Sequence, residues 1–207
     1  MKPLDIATLQ NYFPATAGVI GSDALADCLA VFAQQAEPSI TDFPTLAADQ
    51  PAAKNYLYLE DLAKLECLTV LSSDAPMLPP MTATELGQVD DPVNLKLPVQ
   101  PHVFILRSAW PIDEIWHMLA QSPAQTPPKK IGAKETFIAV FRDAQQEDSK
   151  VSVWPLSEGA YKFIEHLMSE PVFAFAADTA LRAEADLPLD IVLMEMVDAK
   201  LFSSSAL

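Results

Sequence analysis

The sequence predicts an α+β protein: a helical N-terminal domain, followed by a C-terminal domain with a small antiparallel sheet of about three strands packed by helices. Three observations carry this reading. Apolar residues recur at helical spacing over residues 1–75. Residues 76–101 hold Pro76, Pro79, Pro80, Pro92, Pro98 and Pro101 with little periodicity. Beyond them, short runs rich in β-branched and aromatic residues are followed by helix-like stretches. The expected division is a helical domain at 1–75, a Pro-rich linker at 76–101 and an α+β domain at 102–207.

Taken in order, residues 4–13 read as a short helix. After a turn at Gly18 and Gly21, Ser22 is the expected N-cap of a helix running to about Gln35. Its buried stripe is Leu25, Cys28, Leu29 and Phe32, at i, i+3, i+4 and i+7. The segment YLYLEDLAKLECLTVLSSDAP, from residue 56, is the strongest helix in the chain, with Tyr58, Leu62, Leu65 and Thr69 on one face and Pro76 as its latest end. Cys67 falls roughly opposite that stripe, facing a second packing surface or solvent. Past the linker, a strand is expected near 102–108, and a helix near 111–121 with Pro111 at its first position. ETFIAVFRD is apolar on both faces, as in a covered central strand. KVSVWPL alternates Val151 and Val153 with Ser152 and Trp154 and then meets Pro155, which fits a strand nearer an edge. The polar connection DAQQED makes these two a hairpin with a long acidic loop. Ser157 is an N-cap candidate for a helix at 158–169, and further helices are expected at 171–183 and about 188–201.

Composition excludes several classes of function. The net charge is −15. Residues 1–100 hold four Lys, no Arg and thirteen acidic residues, while 101–207 hold nine basic and fifteen acidic residues. Neither half offers a basic stripe for a phosphate backbone, so no nucleic-acid partner is expected. The N-terminus has no apolar signal region and no apolar run approaches a membrane span, so the expectation is a cytoplasmic protein without a membrane partner. Five glycines form no phosphate-cradling loop. His102, His117 and His166 lie in separate elements without metal-ligand spacing, so no metal site is assigned to this chain. Cys28 and Cys67 form no CxxC motif. A cysteine nucleophile at Cys67 would sit among Glu60, Glu66 and Asp74, which oppose thiolate formation. The pairs Glu60–Asp61 and Asp113–Glu114 are adjacent on helices and diverge by about 100°, so they read as solvated faces rather than acid–base pairs. Lys129–Lys130 reads as an isolated surface patch. No catalytic residue is assigned.

One constellation remains. VFILRSAWPIDEIWHML places Arg107, Trp110 and Trp116 within ten residues of a chain with three Arg and three Trp. Either the tryptophans are core and Arg107 is a strand-end cation in an internal ion pair, or the group belongs to a partner interface, where Trp and Arg are enriched.

Several segments together resemble a known family. LQNYFPATAGVIGSDALADCLAVFAQQAEPS is similar to its aromatic-Pro step, Gly-acidic turn and Ala/Leu-rich helix. YLYLEDLAKLECLTVLSSDAP is similar to its Tyr-Leu-x-x-Leu-Ala-x-Leu-Glu helix with a terminal Asp-Ala-Pro element. VFILRSAWPIDEIWHML is similar to its Leu-Arg-Ser-x-aromatic/apolar-Pro-x-x-x-Ile-Trp segment. The family comprises partner proteins of iron-dependent enzymes that modify ribosomally made peptides, including the C component of methanobactin biosynthesis and relatives in copper-storage peptide maturation. Its longer members begin with an additional helical segment that this sequence lacks, so the chain is more like the methanobactin branch. Cys67 stands where the family usually has an aromatic, which favours a packing role there.

The resemblance implies a non-catalytic subunit with no cofactor of its own. Its partners would be a barrel-shaped enzyme that carries the iron, bound as a heterodimer, and a precursor peptide with a Cys-containing core. The enzyme oxidises the peptide's cysteines with dioxygen, to oxazolone and thioamide groups in methanobactin. On this reading the leader part of the precursor adds as a strand to the 102–207 domain, at Val151, Ser152, Val153 and Trp154. Arg107, Trp110, Trp116, Leu62 and Leu65 would belong to the enzyme interface. The rival reading is a winged-helix-like DNA-binding transcription regulator, against which residues 1–100 contain no Arg at all. A free-standing cysteine enzyme is the third, and it would require activity that Cys67→Ala abolishes.

Overall fold

The structure is a computed structural model, and it describes residues 6–89, 91, 93–121, 126–143 and 150–204. The chain divides into two compact units, Met1–Val70 with Ser108–Thr136, and Leu71–Arg107 with Phe137–Leu207. These boundaries differ from the sequence-based ones. Residues 108–136 belong with the N-terminal helices, and residues 76–101 are part of the second unit rather than a segment between two.

The first unit is helical, built from α1 (Ile6–Tyr12), α2 (Pro14–Ile20), α3 (Ser22–Ala33), α4 (Phe43–Ala48), most of α5 (Leu59–Asp74) and α7 (Ile112–Gln121). α2 was not foreseen. Pro14 opens it, where a proline's missing N–H costs nothing, and Gly18 lies inside it rather than in a turn. A Cβ on Gly18 would reach Leu119 at 3.8 Å, so the helix passes close to α7. The turn is at Gly21 alone, at φ 90°, a backbone conformation that favours glycine. There α2 and α3 bend by 116°. Gly21, not Ser22, is the N-cap of α3, and its carbonyl accepts from the Leu25 N–H at 3.0 Å. The expected stripe Leu25, Cys28, Leu29 and Phe32 is buried as a whole. Phe43 of α4 stacks against Phe13 at 4.0 Å between ring centroids and meets the Phe32 ring edge-on at 5.9 Å.

The second unit holds the sheet, made of β1 (Phe104–Ser108), β2 (Thr136–Arg142) and β3 (Val151–Leu156) except for the end residues Ser108 and Thr136, with α6 (Ala83–Leu86), α8 (Glu158–Ser169), α9 (Phe173–Ala183) and α10 (Leu189–Asp198). The strand order is β1-β2-β3. β2 is central and buried from Phe137 through Phe141, as its two apolar faces predict. The α+β architecture is therefore the expected one. β2 and β3 pair antiparallel, with Val140 opposite Val153 and Ala139 opposite Trp154; the acidic connection at 144–149 lies outside the described residues. Ser157 caps α8, its hydroxyl accepting from the Ala160 N–H at 3.3 Å. α8 and α9 form a helical hairpin whose Phe163, Ile164, Leu167, Ala176 and Ala180 share a core with Ala139 and Phe141 of the sheet.

Parts of residues 76–101 join this core through isolated backbone bridges, Pro80 with Ser203, Lys96 with Val172 and Val99 with Phe202. Met81, Leu95 and Leu97 are buried in it. The Met81 N–H donates to the Phe202 carbonyl at 3.0 Å, and the Leu97 N–H to that of Pro171 at 2.7 Å. Gln100, 1% exposed, uses its amide group to accept from the Leu78 N–H and to donate to the Leu78 carbonyl, both at 2.9 Å. A proline-rich stretch can thus be structural, because the residues between its prolines supply apolar anchors.

Candidate functional site

β3 supplies the first part of the site. One edge of it is paired to β2 over six residues, Phe137↔Leu156 through Arg142↔Val151. As the last strand in the sheet order it has no second strand beside it among the described residues. An edge strand presents backbone donors and acceptors at every second residue, which is what an added strand requires. Val151, Ser152, Val153 and Trp154 are all half-buried, and Pro155, with no N–H to offer, follows them near the strand's end.

A groove of about 450 Å³ lies beside this strand, lined by Phe141, Asp143, Ser152, Val153 and Trp154 on one side and by Glu195, Asp198 and Ala199 of the end of α10 on the other. Trp154 also borders a second cavity of about 220 Å³, which runs along Leu156 to Val192 and Met196. The Trp154 ring is held by Phe141, 5.8 Å away between centroids. The strand foreseen as a binding edge therefore comes with an adjoining concave surface of mixed apolar and acidic lining, which periodicity alone does not reveal.

The expected partner-face residues separate. Leu62 and Leu65 are 0% exposed, inside the first unit's core, and this corrects their assignment to an interface. They are buried because α5 packs on more than one side: Leu59, Ala63, Glu66 and Cys67 are buried too. Trp110 and Trp116 are half-buried in the first unit, while Arg107 is exposed and belongs to the second. The Arg107 guanidinium lies 5.8 Å from the centre of the Phe137 ring, a cation–π distance. Trp116 meets the His117 ring edge-on at 5.1 Å. Trp110 is fixed through its backbone. Its N–H donates to Ser108 Oγ at 3.1 Å, its carbonyl accepts from Thr136 Oγ1 at 2.7 Å, and Ser108 Oγ donates in turn to Asp61 Oδ2 at 2.7 Å.

Both cysteines are free and buried. Burial pushes the Cys28 thiol up to about 11 against a hydrogen bond with Gln50, and burial together with the Glu66 charge pushes Cys67 up to about 12. Cys67 donates to the Ile40 carbonyl at 3.0 Å. Neither is an activated nucleophile. Among the described residues, no three His, Cys, Asp or Glu side chains gather as a metal site would need, and no single helix is long and apolar enough to cross a membrane.

Two polar groups escaped the sequence reading. Glu66 is 1% exposed, and its carboxylate accepts from the backbone N–H groups of Ala15 at 2.6 Å and Thr16 at 2.9 Å. It caps α2 from a distant helix, where Phe13 at the cap position has no side-chain oxygen to offer. His102 is 0% exposed, and its Nδ1 accepts from the Arg142 N–H at 3.2 Å. Burial, and then the Arg142 charge, lower its basicity. In both cases the partner lies tens of residues away, and no local spacing signals it.

Neither protein-family models nor curated proteins match this chain.

Proposed function

We propose that the chain is a cytoplasmic, non-catalytic partner subunit that binds the leader of a ribosomally made precursor peptide and presents the peptide's cysteines to an iron-dependent enzyme, as in methanobactin-type biosynthesis. The observation that carries the reading is the open edge of β3 with its adjoining groove. The leader pairs as an extra strand on Val151–Trp154 and settles alternate side chains into the groove, so that the backbone supplies affinity and the pockets supply register. Holding the leader raises the local concentration of the tethered core at the enzyme's iron, which is how a chain without chemistry of its own is needed for turnover. The iron belongs to the partner. Burial of both thiols supports the same division of labour, because neither is placed to react. Trp110 and Trp116 of the first unit, and Arg107 of the second, are assigned to contacts with the enzyme.

The test separates the two surfaces. Val153→Asp places a charge at the centre of the edge strand, and it is expected to weaken leader-peptide binding about tenfold or more while the enzyme complex still co-purifies. Arg107→Ala and Trp110→Ala are expected to impair co-purification while leaving peptide affinity unchanged. Loss of both functions in Val153→Asp would make β3 ordinary core and end this reading of the edge.

A further inference from the structure

In the first unit, Leu57, Tyr58, Trp110, Lys129, Lys130 and Ile131 line a cavity of about 240 Å³. Its chemistry runs against that of the chain as a whole. The protein carries a net charge of −15, yet this lining holds two adjacent lysines and no carboxylate. Both lysines are exposed, and neither has an ion-pair partner among the described residues. Leu57 is 76% exposed, the highest value among the exposed large apolar side chains of the described residues. Trp110 is held by the hydrogen bonds from its backbone to Ser108 and Thr136, so one wall is fixed in advance of any ligand.

Tyr58 adds an independent observation. It is 2% exposed, and its hydroxyl is buried without a hydrogen-bond partner among the described residues. Buried hydroxyls nearly always find a partner, and one without it is an unspent donor. Burial also pushes its acidity well below that of a free tyrosine, so the hydroxyl keeps its proton and offers it.

We propose that this cavity binds a small organic oxyanion, a phosphate or carboxylate group on a short flat apolar body, with Lys129 and Lys130 holding the anionic group. Lysine ammonium groups act as mobile point charges suited to such oxyanions. Trp110 and Leu57 cover the apolar body, and the Tyr58 hydroxyl donates to the ligand. The volume lies below the range of about 300–1,000 Å³ typical of pockets for drug-sized ligands, so the body is no larger than a single ring. The site is separate from the β3 edge and shares Trp110 with the surface assigned above to the enzyme.

Calorimetric titration of the full chain at low ionic strength tests this, with phenyl phosphate, benzoate, inorganic phosphate and phenol as probes. Phenyl phosphate or benzoate is expected to bind saturably and more tightly than either phosphate or phenol, and the tighter of the two identifies the anionic group. The double variant Lys129→Ala/Lys130→Ala, altered only at exposed positions, is expected to keep its circular dichroism and to bind about tenfold more weakly. Tyr58→Phe should also weaken binding while leaving the fold intact. Absence of saturable binding by both ring-bearing anions, equal affinity in the lysine double variant, or phenol binding as tightly as the anions would overturn the proposal. Unchanged affinity in Tyr58→Phe would remove the hydroxyl from it.

Discussion

Replacing Glu66 by Gln converts a buried ionisable cap into a neutral one, and it should change how stability depends on pH. Two effects compete at this carboxyl group. Burial opposes its charge, while the hydrogen bonds from Thr16 and Ala15 favour the charge. Burial wins, and the group is raised from 4.5 to about 7. A carboxyl whose folded value exceeds its unfolded value binds its proton more tightly in the folded protein. Folding is then favoured at low pH, and stability falls as pH rises from about 4.5 through 7. Each unit is worth about 1.4 kcal/mol, so the full excursion costs roughly 3 kcal/mol. Glu66→Gln lacks this titration and resembles the protonated form. Urea unfolding of both proteins by circular dichroism across this pH range isolates it, because every other titrating group cancels in the difference. The variant should match the parent below pH ~4 and exceed it by about 3 kcal/mol above pH ~8. A difference that stays constant with pH, or that favours the parent as pH rises, would show that the two amides hold the carboxylate ionised and that the reasoning is wrong.

Three further outcomes follow from the packing. Gly159→Ala should destabilise the second unit by about 1–3 kcal/mol, measured as a lowered urea midpoint, because the new Cβ would lie 2.8 Å from Glu184 Cβ and 3.1 Å from Leu187 Cδ2. Leu62→Ala should cost about 2–5 kcal/mol of stability through the cavity it leaves; a variant of unchanged stability that merely lost a partner would return Leu62 to the surface. Iodoacetamide at pH ~8 should label Cys28 and Cys67 slowly in the folded protein and completely in urea, since the reactive species is the thiolate and both thiols are buried and raised. Rapid labelling of the native chain by mass spectrometry would contradict that.

Residues whose neighbours are near in sequence were legible in it. Ser157 caps α8 as its position before an amphipathic run implies, β2 is central because both its faces are apolar, and β3 lies at an edge where Pro155 is tolerated. These follow from periodicity and from backbone chemistry that acts over a few residues. The same reasoning failed at Ser22 and Gly18. A helix ending at Ile20 was hidden in a stretch read as a turn, and Gly21 with its positive φ took the cap.

The sequence by itself determined the α+β class, the positions of the three strands along the chain, the edge character of residues 151–155 and the acidic balance of both halves, since each depends on local pattern or on summed charge. Tertiary structure alone decided that residues 108–136 belong with the N-terminal helices, that the proline-rich stretch carries Met81, Leu95 and Leu97 into the second core, and that α5 buries Glu66 and Cys67 as well as its apolar stripe. A helical wheel shows which residues share a face. How many faces are covered, and which distant amides meet a carboxylate there, depends on elements that arrive from dozens of residues away.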